Sequence, residues 1–138
     1  MDREELGRLA LEARNNAYAP YSRFTVGAAL LTKTGKVYTG CNIENASFSP
    51  TNCGERTAFF KAVSEGEREF AAIAIAGGKA GEEPENPCPP CGVCRQVMAE
   101  FCDPEAFEIL LATKNGVKEV YLLKELLPQS FRKSRLDG

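Results

Sequence analysis

Histidine is absent from this 138-residue sequence, which excludes serine–histidine and cysteine–histidine nucleophile pairs. Any zinc site must be built from sulfur or oxygen, and proton transfer near neutral pH falls most naturally to a carboxylate. No apolar run approaches the roughly 20 residues that cross a bilayer. The charged opening "MDREELGRLALEAR" has no apolar segment of the secretory kind. The chain therefore reads as cytosolic, with no membrane partner. An excess of charge is missing too: the net charge of −2 gives no general attraction to a nucleic-acid polymer. The only basic cluster is Arg132, Lys133 and Arg135 in the tail. Repeats, low-complexity tracts and linkers are also lacking.

What is present suits one domain spanning 1–138. A chain of this length, 43% hydrophobic, can bury roughly two thirds of its unfolded surface. The spacing of Leu6, Leu9, Ala10, Ala13 and Ala17 predicts an amphipathic helix over 3–17, ending before Pro20. "FTVGAALLT" and "KVYTGCN" form a hairpin around "KTGK", where Gly35 supplies the positive φ. Residues 53–65 return to helical spacing and Gly66 closes them. "FAAIAIAG" reads as a strand covered on both faces, 77–90 as a loop, and "CGVCRQVMAEF" as a helix. "FEILLAT" and "VKEVYLL" make a second hairpin, followed by a short helix in "LKELLP". This order predicts an α/β three-layer sandwich, with a mixed five-stranded sheet between helices.

The six cysteines of a cytosolic chain point to thiols or metal ligands rather than disulfides. Two predicted helices open on them, one at Cys53 and one at Cys91 and Cys94. A helix N-terminus stabilises a thiolate, so two converging starts could hold three thiolates on one zinc ion and leave a fourth position open. The loop "NPCPPCGVCRQ" also contains Cys88, three residues before Cys91. Pro89 and Pro90 hold the chain between them extended, at about 3.1 Å per residue, whereas Gly92 and Val93 can turn. Cys91 and Cys94 are therefore the pair chosen. Glu55 is the candidate acid and base, converging with Cys53 only if Cys53 sits on the entry turn. Arg56 could donate to a thiolate and offset its charge, and Arg95 and Gln96 are further supporting candidates. The alternative on these residues alone is a closed structural zinc site with Cys88 as fourth ligand. Cys41 and Cys102 read as buried thiols, and Phe48, Phe59 and Phe60 as core.

"CGE" and "PCGVC" match the zinc-deaminase signature. With "FTVGAALL", "GCNIENASF" and "ERTAFFKAVSEG", the chain resembles the small free-nucleoside cytidine deaminases from about residue 3 to 128. The resemblance implies one Zn2+ per chain on Cys53, Cys91 and Cys94. Glu55 would carry a proton from water to N3 of the base and then to the departing amine. It further implies Phe24 beside the pyrimidine, Asn42 and Glu44 on the ribose hydroxyls, and Gly54 at a backbone contact to the base. The assembly would be a homotetramer with sites at subunit boundaries, where Phe131 stacks on a neighbour's substrate. Two features depart from the family: Gly54 stands where alanine is usual, implying a looser base contact, and Cys88-Pro89 looks inserted.

The expected activity is hydrolysis of cytidine and deoxycytidine to uridine, deoxyuridine and ammonia. The other readings are deamination of another aminopyrimidine or aminopurine, and a zinc-stabilised module without activity.

Overall fold

Asp2 opens the first helix by accepting a hydrogen bond from the Glu5 backbone N–H at 2.8 Å, the usual service of an N-cap aspartate. In this computed structural model, which describes residues 1–137, helix α1 covers Arg3–Ala13 and a 3-10 turn follows over Arg14–Asn16. The predicted helix was longer, to residue 17. Asn15 and Asn16 compete for backbone groups in a helix, and the chain is drawn extended where Tyr18 N–H donates to Asn42 O at 3.0 Å.

Strand β1 (Phe24–Thr32) pairs antiparallel with β2 (Val37–Cys41) across the expected turn, with Gly35 at φ 97°. Helix α2 runs Gly54–Ser64, and Gly66 leaves it at φ 101°. β3 covers Phe70–Lys79, continuing into the predicted loop. Then come α3 (Gly92–Phe101), β4 (Glu108–Thr113), β5 (Gly116–Leu122) and the short helices α4 (Leu123–Leu126) and α5 (Lys133–Asp137). The last of these had no counterpart in the sequence reading.

The five strands are ordered β2-β1-β3-β4-β5, with β3 and β4 parallel and the other neighbours antiparallel. The apolar run of β3 is divided between two faces, because alternate residues of a strand point oppositely. Ala72, Ala74 and Ala76 meet Leu6 and Ala10 of α1. Ile73 and Ile75 meet Phe59 of α2 and Met98 of α3. The sheet is thus the middle of three layers, as predicted. Phe59 is buried, whereas Phe48 and Phe60 are exposed, correcting the expectation that all three are core.

The approach of α2 to the sheet depends on Gly40. A Cβ there would lie 2.5 Å from Ala58 N and 2.5 Å from Gly54 O, inside any real contact. That absence brings the first turn of α2 down onto β2 and fixes where residues 53–55 sit.

Candidate active site

Cys53 is the N-cap of α2, with extended backbone at φ −77° and ψ 156°. Cys91 holds the same position on α3, at φ −68° and ψ 166°. Neither sulfur caps its own helix, and the two stand 3.7 Å apart. Cys94, buried in the first turn of α3, places its sulfur 3.4 Å from that of Cys91. All three Sγ atoms lie within 4.8 Å of one another. Sulfurs sharing a tetrahedral zinc are about 3.8 Å apart, given bonds near 2.3 Å, so the donor set and spacing fit that ion and leave a fourth position. Cys88 is not in the cluster.

The electrostatics follow from packing thiols together. Hydrogen bonding from the Cys94 thiol, and then from Arg56, pulls Cys53 down to about 5. Donating that bond, with burial, pushes Cys94 up. Arg56 Nη2 donates to Cys53 Sγ at 3.2 Å, the contact expected of it, while its buried Nε has no partner among the described residues. Glu55 is only 4% exposed. Burial raises its carboxyl to about 7 and the neighbouring Cys53 charge pushes the same way, against opposing backbone, Arg56 and Cys94 interactions. The extended N-cap of Cys53 is what allows a residue only two positions later to face the same point.

Arg95 and Gln96 bond elsewhere. Arg95 Nε donates to Pro90 O at 2.8 Å and Nη1 to Leu126 O at 2.9 Å, tying the approach to α3 to the end of α4. Gln96 Nε2 donates to Phe131 O at 2.7 Å. They position chain around the cluster rather than touching sulfur.

A cleft of about 420 Å3 is lined in part by Phe24, Gly77, Cys88 and Pro89, without the three sulfurs or Glu55 in its wall. Phe24 is 39% exposed at its wall. Burial, with the charges of Glu55 and Cys53, pushes the Cys88 thiol up to about 11. Its sulfur lies 2.8 Å from where a Cβ on Gly77 would be, so only glycine admits it.

Asn42 is 8% exposed and already bonded: Oδ1 accepts from Val26 N–H at 2.9 Å and Nδ2 donates to Phe24 O at 2.8 Å. It therefore also holds the strand that carries Phe24. Glu44 accepts from the backbone N–H groups of Tyr21 and Ser22 at 3.0 and 3.1 Å, and from the Ser22 hydroxyl. The hydroxyl bond, ahead of the backbone bonds, holds its carboxyl below the usual range. Sequence reading missed this support from residues 21 and 22. Its only trace was the turn-forming "APYS", and the positive φ of Arg23, 59°, had no sequence signal. A Cβ on Gly54 would meet Val26 O at 3.1 Å and Cys41 Cα at 3.3 Å. The space saved by glycine thus lies toward the sheet. Phe131 is 62% exposed.

Comparison with known proteins agrees with this chemistry. The family model for the cytidine and deoxycytidylate deaminase zinc-binding region matches residues 1–109. A cytidine deaminase of Sporosarcina psychrophila is 50% identical over 136 residues, 99% of this chain and 96% of that one. Another, of Halalkalibacterium halodurans, is 52% identical over 131 residues, 95% of each chain. The crystal structure of cytidine deaminase from Burkholderia pseudomallei superposes with a TM-score of 0.84 at 49% identity, over 95% of this chain and all of that chain (100%).

Proposed function

Because the chain belongs to the cytidine and deoxycytidylate deaminase family, we propose that Glu55 moves the protons and Cys53, Cys91 and Cys94 hold the zinc in a hydrolytic deamination of cytidine and deoxycytidine. The enzyme is a zinc-dependent cytidine deaminase. Water replaces the C4 amine of the base, giving uridine and ammonia. The observation that carries the residue assignment is one buried carboxyl, Glu55, beside three sulfurs at zinc spacing.

When bound, zinc supplies the Lewis acidity that makes water nucleophilic near neutral pH. Glu55 accepts one proton of the attacking water and gives it to N3 as C4 is attacked. It then takes the second proton from the oxygen added at C4 and delivers it to the amine as the C–N bond breaks and the carbonyl forms. A carboxyl held near 7 by burial can both accept and return a proton at working pH. Arg56 offsets charge at Cys53. Phe24 flanks the pyrimidine. Glu44 and Asn42 receive the ribose with the capacity left beyond their present bonds: a carboxylate offers about four acceptor sites, and an amide nitrogen has a second hydrogen. Gly54 and the first turn of α2 set the backbone beside the base.

The whole chain acts as one catalytic domain in a homotetramer, with Phe131 reaching a neighbour's cleft. Exposed aromatic side chains at Tyr21, Phe24, Phe48 and Phe131 support such a boundary. Among the described residues no helix is long and apolar enough to cross a membrane. Pyrimidine salvage in the cytoplasm is the role this reading assigns. Cytidine turnover followed by ultraviolet absorbance, with metal measured on the same sample, tests it. Zinc-loaded protein that leaves cytidine unchanged would refute the reading.

A further inference from the structure

Much of the cleft wall, residues 82–89, belongs to the segment 80–90, which has four prolines, a positive-φ Gly81 and several acidic residues with no regular structure. Such a segment has little reason of its own to stay in place. It lies on the end of β3, where two glycines make room: a Cβ on Gly77 would sit 2.8 Å from Cys88 Sγ, and one on Gly78 would sit 3.2 Å from Pro84 Cα. On the far side Lys114 N–H donates to Pro84 O at 2.8 Å.

Ala80 N–H donates to Arg23 O at 2.8 Å and Lys114 Nζ pairs with Glu85 at 3.2 Å. The tie with the most bonds is Arg14, in the 3-10 turn after α1. Its Nη2 donates to Glu82 O at 3.0 Å, to Lys79 O at 3.2 Å and to Thr25 Oγ1 at 2.9 Å, while Nε donates to Thr25 O at 3.0 Å. One guanidinium thus joins the residue after Phe24, the end of β3 and the start of the loop that carries Cys88. Its fixed fork suits several acceptors at once, as a lysine would not. None of these bonds reaches the sulfur cluster. The approach to Cys91 has its own anchor, the bond from Arg95 to Pro90 O.

We propose that Arg14 is a positioning residue for the substrate cleft: it latches the 80–90 segment against β1 and β3, and so sets the gap between Phe24 and Cys88 into which the base fits. The proposal rests on the deaminase reading for its substrate, but the latch is a property of the chain alone. Loss of the latch widens the cleft without disturbing the zinc or Glu55, so ground-state and transition-state binding weaken together and KM rises at constant kcat.

Two readouts test it on the zinc-loaded enzyme: steady-state kinetics with cytidine, and the rate at which iodoacetamide alkylates Cys88, followed by peptide mass spectrometry. Arg14→Gln is expected to raise KM at least about tenfold, since small misplacements at a site have large kinetic effects. It should leave kcat and zinc content unchanged and speed alkylation of Cys88. Arg14→Lys should recover part of the KM. Gly78→Ala, whose Cβ would press on Pro84 Cα at 3.2 Å and meet Arg14 Nη2 at 3.4 Å, disturbs the same latch from the β3 side and should give the same split, and it carries the test if Arg14→Gln does not fold. A fall in Tm with KM and alkylation unchanged would mean that Arg14 serves stability alone and would overturn the proposal. A loss of zinc or of kcat at unchanged KM would also overturn it, by placing the residue in support of the metal site. Wild-type protein that leaves cytidine untouched would refute the deaminase reading instead, and the alkylation rates would still decide the latch.

Discussion

Glu55 is almost wholly removed from water beside three sulfurs, an unfavourable place for a carboxylate unless its proton is in use. Glu55→Gln should keep the fold and the zinc while kcat falls by at least about 10²- to 10⁴-fold; near-normal turnover would assign proton transfer to another group. The choice between the two C-x-x-C pairs is tested the same way. Cys88→Ser should retain zinc, whereas Cys91→Ser and Cys94→Ser should each lose most of it, measured by metal analysis of the three proteins in parallel. At this scale the three-sulfur cluster was legible, because prolines and helix starts leave a mark in the sequence. Asn42 was legible only in part. Its bonds go to Val26 N–H and Phe24 O, and backbone groups of a distant strand have no residue pattern to read. Arg14, whose acceptors are mostly carbonyl oxygens far along the chain, was invisible for the same reason.

Elements were read through periodicity, and both hairpins and α2 and α3 came out close to their observed limits. α1 did not, since its end is decided by the pairing of Tyr18 with Ile43, a tertiary contact that overrides local spacing. The tightest join between elements is that of α2 on β2 at Gly40. Gly40→Ala would force backbone apart at Ala58 and Gly54, and overpacking of this kind typically costs about 1–3 kcal/mol. A lower Tm together with weaker zinc retention is expected, because the same shift displaces Cys53. Thermal melts paired with metal titration would show whether stability and metal affinity fall together; a fall in Tm alone would detach the metal site from this packing.

For the whole molecule, layer order followed from the sequence, since the strand alternation of β3 can be satisfied only by helices on both faces. Assembly is the part a single chain leaves least marked, except for its exposed aromatics. Phe131→Ala should raise KM for cytidine in a particle four chains in size, as judged by light scattering and kinetics on one preparation. A fully active monomer would rule out a shared site. Chelation should abolish turnover, and full activity in metal-free protein would rule out the zinc-dependent chemistry.

The close set of sulfurs has a consequence for the protein's lifetime. While the ion is in place it acts as a protecting group. Once it leaves, Cys91 and Cys94 lie 3.4 Å apart, in a C-x-x-C pair at a helix start, with Cys91 exposed. That is the arrangement in which air oxidation to a bridge is easiest. Ageing of this enzyme should therefore proceed through metal loss followed by thiol oxidation. Stripped protein kept under reductant should regain activity when zinc is restored, whereas the same protein left in air should need reduction first, and the time between stripping and reloading becomes the quantity that sets its shelf life.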